Sequence, residues 1–135
     1  MAKEYTEACN KRWCLGPLFK GEYPKILTDL YQEKIGGFEI RKGDLDLISK
    51  EVDFLGINYY SRSVVEYNDQ SLLKNKIIKP KNSEYTEMNW EIYPQGLKDL
   101  LLQINNEYTE KPIFITENGA AFDDHVSGED RVHDQ

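Results

Sequence analysis

Glu117 is the residue of this chain best placed to do chemistry. It follows a short apolar run, residues 112–116, and precedes Asn118 and Gly119. A carboxylate at the carboxyl end of a buried strand occupies the position where α/β barrels keep their catalytic groups. Glycine adopts positive φ without a steric penalty, so we expect a sharp turn at Gly119. Asn-Gly is also a common hairpin turn, and a polar turn without catalytic function is the alternative interpretation.

Two predicted strands would position this carboxylate. Residues 112–116 form one, and residues 53–60 form the other, with apolar side chains that run continuously instead of alternating. Such a run is typical of a parallel strand that is covered on both faces. Gly56 in its middle indicates a place where another group approaches the backbone closely.

The strongest predicted helix, residues 94–108, lies between the two strands. Pro94 suits its first turn, and one apolar stripe follows its length. The stripe consists of Leu97, Leu100, Leu101, Ile104 and Tyr108. A strand, a helix and a second strand predict neighbouring parallel strands whose carboxyl ends share one face. We therefore expect Asn58 and Tyr60 to lie near Glu117.

The remaining sequence predicts short helices and one long connection. Helices are expected over residues 1–14, ended by Gly16-Pro17, and over residues 25–33 and 44–49. Residues 61–93 are polar and are predicted to be irregular. A connection of that length is usually functional or disordered.

Composition excludes several classes of partner. The 135 residues allow one domain at most, and the net charge of -7 argues against nucleic-acid binding. No apolar run approaches the roughly 18 residues of a membrane span. No signal-peptide core is visible, which favours a cytoplasmic protein. Cys9 and Cys14 have neither zinc nor redox spacing, and the acidic tail does not follow the calcium-loop pattern, so no metal or cofactor is expected.

Several separated motifs, in order, resemble glycoside hydrolase family 1, the β-glucosidase family. They are Arg12–Phe19 with Gly21–Pro24, Phe54–Tyr60, Trp90–Leu97, Pro112–Ala121 and Arg131–Asp134. The second resembles the family's sixth barrel strand, the third the start of the helix after it, and the fourth the seventh strand. Lys11, Cys14 and Gly16 stand where the family often has Asn, Phe and Asp.

The resemblance implies a retaining mechanism with two carboxyl groups about 5 to 5.5 Å apart. It assigns Glu117 as the nucleophile and Tyr60 as the hydroxyl that hydrogen-bonds it, which favours the ionised carboxylate. Asn58 matches a polar residue that supports the pocket, and Trp90 matches a tryptophan of the sugar-site wall. The alternatives are that Tyr60 is a core tyrosine, Asn58 a cap of the strand end and Trp90 a core tryptophan.

The second catalytic carboxylate of the family lies in a Thr-x-Asn-Glu-Pro motif, which this sequence lacks. A complete barrel takes about 250 residues. We therefore expect an α/β fold with about two βα units of a (β/α)8 barrel, around the sixth and seventh strands. Residues 1–135 would be a C-terminal-half fragment of one barrel domain.

The expected function is the nucleophile-bearing segment of a β-glucosidase that acts on β-glucosides or related oligosaccharides, inactive alone. One alternative is a 6-phospho-β-glucosidase, although such enzymes usually have Ser for Asn58 and Val for Thr116. The other is a non-catalytic remnant that acts in binding or assembly. Uncovered strand edges would favour self-association.

Overall fold

Helices and short strands alternate along the computed structural model, which describes residues 1–126, 128 and 132. The first part of the chain is helical, and the strands begin at Leu55. The elements, in order, are α1 (Ala2–Glu7), a π-helical turn (Ala8–Arg12), α2 (Trp13–Lys20), α3 (Lys25–Ile35), α4 (Asp44–Ile48), β1 (Leu55–Asn58), β2 (Val64–Tyr67), β3 (Asn75–Ile78), α5 (Pro94–Glu107) and β4 (Ile113–Glu117).

The first helical stretch runs further than predicted. It continues without a break from Ala2 to Lys20, and Gly16 and Pro17 are buried inside it. The helix ends at Gly21, which has φ 65° and donates its N–H to the Gly16 carbonyl oxygen. The prediction that Gly16-Pro17 ends the helix was wrong, because burial of these two residues offsets the hydrogen bond that proline cannot donate.

A small core joins this helical stretch to α3. Ala8 and Leu27 are fully buried, and Leu30 is nearly so. The α3 helix confirms the predicted 25–33 helix and extends it by two residues. It ends at Gly36 (φ 77°), and Gly37 follows with φ 84°, so the predicted break is present. The predicted 44–49 helix is present as α4.

The two predicted barrel strands are parallel neighbours, as expected. Leu55 pairs with Ile113, Gly56 with Phe114 and Ile57 with Ile115, and Asn58 pairs with Glu117 after a register shift. A Cβ at Gly56 would lie 3.1 Å from Thr116 Cγ2, which is closer than ordinary van der Waals contact. The predicted close approach at Gly56 is confirmed.

The expectation that both strands are buried was wrong. Phe54 is 54%, Phe114 55% and Ile115 47% exposed. Within the described residues, β4 pairs only with β1, so the chain itself does not cover these side chains. An apolar run predicts burial because other elements usually pack on both faces of such a strand, and the described residues leave these faces largely exposed.

The 61–93 connection is more ordered than predicted. It contains the antiparallel pair β2–β3, in which Val64 pairs with Ile78 and Tyr67 with Asn75. The pair lies against α1, where Asn75 Nδ2 donates to Thr6 Oγ1 at 2.7 Å. Each strand has only four residues and includes charged side chains, so its apolar pattern is too short to stand out in the sequence.

Helix α5 confirms the 94–108 prediction, and Ile104 is buried at 2% exposure. Its first turn packs on the residue after β1. Tyr59 Oη donates to the Tyr93 carbonyl oxygen at 2.8 Å, and a Cβ at Gly96 would lie 2.2 Å from that hydroxyl. Among the helices that the structure describes, none has the length and apolar character needed to cross a membrane.

Candidate functional site

The carboxyl ends of β1 and β4 bring the predicted site residues together. Asn58 and Glu117 are paired across the two strands, and the Tyr59 N–H donates to the Glu117 carbonyl oxygen at 3.0 Å. This backbone hydrogen bond extends the contact between the strands by one residue. It therefore fixes where Tyr60 leaves the sheet.

Tyr60 and Glu117 are in direct contact. The Tyr60 hydroxyl donates a hydrogen bond to Glu117 Oε2. Glu117 is exposed, and Tyr60 is 38% exposed. The expected proximity of these two side chains is therefore present, and the carboxylate is accessible to a molecule in solution.

Asn58 and Asn118 each contact the opposite strand. Thr116 Oγ1 lies 2.7 Å from Asn58 Oδ1 and 3.0 Å from the Ile57 carbonyl oxygen, so one hydroxyl proton serves two acceptors. Asn118 Nδ2 donates to the Tyr59 carbonyl oxygen at 2.6 Å. These contacts hold the side chains of Thr116 and Asn118, which flank Glu117 in the sequence.

The turn after Glu117 differs from the expectation. Gly119 does not have positive φ; the glycines that do are Gly21, Gly36, Gly37 and Gly43. The Asn118 side chain fixes the end of the strand, so the chain leaves β4 without a left-handed residue. In the part of the chain that the structure describes, β4 enters no hairpin, so the Asn-Gly hairpin alternative is not observed.

Trp90 lies beside Tyr60, with ring centroids 5.0 Å apart and ring planes inclined by 44°. It is partly buried. Two hydrogen bonds with Thr86 hold its backbone: Thr86 N–H donates to the Trp90 carbonyl at 2.9 Å, and Trp90 N–H donates to Thr86 Oγ1 at 3.2 Å. One aromatic wall therefore adjoins the Tyr60–Glu117 contact.

An ion pair beside these aromatic residues escaped the sequence analysis. Arg62 Nε donates to Glu91 Oε2 at 2.7 Å, and Arg62 Nη2 donates to Glu91 Oε1 at 2.9 Å. Ser83 Oγ donates to the same Oε1 at 2.6 Å. The hydrogen bond from Arg62 lowers the pKa of Glu91, with burial opposing it, and also raises the pKa of Arg62. The signal available in the sequence was a pair of opposite charges near the aromatic site residues: Glu91 follows Trp90, and Arg62 is two residues after Tyr60.

An open groove of about 1040 Å³ adjoins the site. Its lining includes Asn58, Tyr60 and Trp90, together with residues of α1 and α5. Glu117 does not line the groove and stands at the strand ends instead. Burial raises the pKa of the Tyr59 hydroxyl on the groove wall, while the nearby Arg62 charge opposes the rise.

The described residues hold no group of three or more His, Cys, Asp or Glu side chains that could bind a metal ion. Asp123, Asp124 and His125 of the tail are exposed. Five further charged or histidine residues of the tail and the last motif lie outside the described residues: Glu129, Asp130, Arg131, His133 and Asp134.

Comparisons with known proteins agree on one family. The family described as "Glycosyl hydrolase family 1" matches residues 1–135. "Beta-glucosidase A" from Thermotoga maritima is 38% identical over 121 residues, which are 90% of this chain and 26% of that protein. A "6-phospho-beta-glucosidase" from Bacillus subtilis is 35% identical over 147 aligned residues, with 99% of this chain and 30% of that protein covered.

The crystal structure of a beta-glucosidase from Exiguobacterium marinum superposes with a TM-score of 0.92 at 41% identity. The superposition covers 98% of this chain and 30% of that one. The chain thus spans less than a third of the length of these relatives.

Proposed function

The chain belongs to glycosyl hydrolase family 1, and from that premise we propose that it carries the nucleophile side of a retaining β-glucosidase site. Glu117 would attack the anomeric carbon of a terminal β-glucosyl residue and form a glycosyl-enzyme. The glycosidic bond breaks in the same step. The leaving oxygen takes its proton from a second carboxylic acid, which later activates the water that releases glucose.

One observation carries this proposal: the Tyr60 hydroxyl donates to Glu117 Oε2 at the ends of two parallel strands. A carboxylate oxygen that accepts a hydrogen bond from a hydroxyl is held in place, and its other oxygen stays available to attack. The hydrogen bond also limits the directions in which the second oxygen can point. Trp90 supplies an aromatic face on which a pyranose ring would stack, and Asn58 supplies an amide at the same strand ends.

The two parallel strands would be the sixth and seventh of a (β/α)8 barrel, and residues 1–135 would be part of that single domain. The superposition on a beta-glucosidase over 98% of this chain supports this placement. The exposed faces of Phe54 and Phe114 support it as well, because apolar residues on a two-stranded sheet need further elements to cover them.

A chimeric enzyme tests the proposal. Residues 1–135 replace the matching segment of the Thermotoga maritima beta-glucosidase, and the purified chimera is incubated with a fluorosugar that traps the glycosyl-enzyme. We expect the label on Glu117 and a loss of kcat of at least about 10⁴-fold in Glu117→Gln, since the covalent step is removed. Glu110→Gln is the matched control, because Glu110 is exposed just before β4. A label on another carboxylate, or an active Glu117→Gln chimera, would refute the assignment.

The 6-phospho-β-glucosidase alternative has support from the Bacillus subtilis relative. The residue types at positions 58 and 116 favour the unphosphorylated sugar, because the resemblance associates phospho-sugar enzymes with Ser in place of Asn58 and Val in place of Thr116. Grafting the segment into both relatives separates the two functions. We expect the graft to keep a larger share of the host's kcat/KM in the beta-glucosidase than in the phospho-enzyme.

The exposed strand faces are the observation that favours a non-catalytic role in binding or assembly. In that case the beta-glucosidase chimera would fold and bind a glucoside, but it would neither turn it over nor take the fluorosugar label.

A further inference from the structure

The Arg62–Glu91 ion pair joins the two segments that carry the aromatic site residues. Arg62 donates two parallel hydrogen bonds to a carboxylate that is only 5% exposed, and Ser83 donates a third. A bidentate arginine–carboxylate pair fixes an angle as well as a distance. The segment after β1 is therefore held rigidly against the segment before α5.

Three further contacts stiffen the same junction. The Arg62 guanidinium lies 3.5 Å from the centroid of the Tyr93 ring. Ser61 Oγ donates to the Glu91 carbonyl oxygen at 2.9 Å, and Tyr59 Oη donates to the Tyr93 carbonyl oxygen at 2.8 Å. A lysine at position 62 would keep the charge, but it would lose both the planar stacking and the two-pronged hydrogen bond.

The junction lies next to the candidate site. Tyr60 is two residues before Arg62, Trp90 immediately precedes Glu91, and the rings of Tyr60 and Trp90 are 5.0 Å apart. We propose that Arg62 and Glu91 are positioning residues that hold Tyr60 against Trp90 and, through the Tyr60 hydroxyl, orient the carboxylate of Glu117. This inference rests on the proposed function of Glu117. The pair acts through Tyr60, and its effect on the reaction is on geometry.

The first test uses the full 135-residue chain. Trp13→Phe leaves Trp90 as the remaining tryptophan, so its emission and its quenching by acrylamide report the Tyr60–Trp90 junction. We expect Arg62→Lys and Glu91→Gln to raise the quenching constant by about twofold, because the stacked, bidentate contact is lost. Arg41→Lys is the matched control, since Arg41 and its partner Glu39 are both well exposed. Unchanged quenching in both site variants would overturn the positioning role.

The second test uses the chimera described above. We expect Arg62→Lys and Glu91→Gln to lower kcat by about 10- to 100-fold with KM nearly unchanged, because misplaced catalytic groups impair the chemical step. Loss of overall folding would instead reduce the active fraction, which active-site titration with the fluorosugar measures. A kcat per labelled site equal to that of the parent chimera would overturn the inference.

A third variant covers the case in which the ion-pair variants fail to fold. Ser83→Ala removes one hydrogen bond to Glu91 and leaves the pair intact. We expect a smaller loss of kcat, about threefold, in the same direction, and a folded variant with unchanged kcat would count against the inference.

Glu117→Gln separates the two proposals: if that chimera is inactive and the pair's variants are fully active, only the positioning role fails. If Glu117→Gln stays active, the proposed function fails, and Trp90 quenching still tests the junction.

Discussion

At the scale of single residues, the site depends on where side chains leave the ends of two parallel strands. The register shift after Ile57 places Asn58 opposite Glu117, and the next two residues of that segment follow the strand end. Tyr60 thereby reaches a carboxylate 57 positions later in the sequence. Parallel pairing brings both strand ends to the same face, and the register shift sets which residues lie opposite each other there.

Removal of the Tyr60 hydroxyl tests its contact with Glu117. We expect Tyr60→Phe to lower kcat of the chimera by about 10- to 100-fold, because a charge-assisted hydrogen bond that orients the carboxylate is lost. Steady-state kinetics on an aryl glucoside measures the effect. Tyr67→Phe is the control, since Tyr67 is 57% exposed in β2. Equal losses in both variants would argue against a specific role for Tyr60.

The sequence could predict Glu117, Tyr60, Asn58 and Trp90 because each lies at a strand end or in a family motif. It could not predict the Arg62–Glu91 pair, whose members are 29 positions apart, one before and one after the antiparallel β2–β3 pair. Their contact depends on how the 61–93 connection folds back. No local pattern encodes that path, because the charges of both residues are equally compatible with a solvated surface.

The Glu91 carboxylate gives stability a definite pH dependence. The hydrogen bond from Arg62 lowers the pKa of Glu91 in the folded state, below the ordinary value of 4.5. The folded state therefore binds this proton less well than the unfolded state does. The stabilisation is present above the ordinary pKa and is lost as pH falls through the folded one.

Urea unfolding at fixed protein concentration measures this dependence. At neutral pH we expect Glu91→Gln to reduce the free energy of unfolding by about 1 to 3 kcal/mol, the usual cost of weakening a buried hydrogen bond to a charged group. The difference from the parent chain should shrink as pH falls below about 4.5. Glu66→Gln, in an exposed pair with Lys76, should change little at any pH. A difference for Glu91→Gln that is independent of pH would contradict the assignment.

At the scale of elements, most of those with a clear apolar pattern were predicted near their true bounds, including the short helix α4, and those without such a pattern were not. Helix α5 has an apolar stripe along most of its length, and β1 and β4 have dense apolar runs, so each was found near its true bounds. The β2–β3 pair and the π-helical turn have no comparable pattern. Their formation depends on tertiary contacts, such as the hydrogen bond from Asn75 to Thr6.

The first turn of α5 gives an element-scale prediction. Gly→Ala in a helix ordinarily stabilises by up to about 1 kcal/mol. At Gly96 the new Cβ would lie 2.2 Å from Tyr59 Oη and 3.0 Å from Tyr93 Cδ1. We therefore expect the opposite sign: Gly96→Ala should destabilise the chain by about 1 to 3 kcal/mol, as overpacking does.

Urea unfolding of Gly96→Ala is compared with that of Gly119→Ala. Gly119 has open space around its missing Cβ and no positive φ, so alanine there should be neutral or slightly stabilising. A stabilised Gly96→Ala would show that α5 can shift away from Tyr59 without cost.

At the scale of the whole molecule, the candidate site is held by specific contacts, whereas the apolar side chains around it are exposed. The strand ends position Glu117 and Tyr60, and the Arg62–Glu91 pair secures the aromatic wall. Phe54, just before β1, and Phe114 and Ile115 of β4 are exposed, and in a barrel they would lie against other elements. The same exposure therefore bears on both activity and association of the chain.

We expect the 135-residue chain alone to hydrolyse no glycoside at a useful rate. General acid catalysis typically contributes about 10²- to 10⁴-fold, and the sequence lacks the Thr-x-Asn-Glu-Pro motif that would supply the acid. The exposed position of Glu117 also leaves the reaction open to water. An aryl-glucoside assay at high protein concentration measures this directly, and turnover abolished by Glu117→Gln would show that the chain needs no second carboxylate.

The same chain should self-associate through the exposed face of β1 and β4. Phe54 and Phe114 are more than half exposed and their rings pack edge-to-face 5.2 Å apart, so they form a continuous apolar surface. It lies beside strand edges that have no partner among the described residues. Light scattering across a dilution series should show an average particle mass that decreases as the chain is diluted. Phe114→Lys should shift the chain toward monomer, because a charge on this face opposes its burial. Leu47→Lys is the matched control, since Leu47 is 64% exposed and lies on α4 and not on either strand. A parent chain that stays monomeric at every concentration, or equal effects of the two lysines, would show that this face does not drive association.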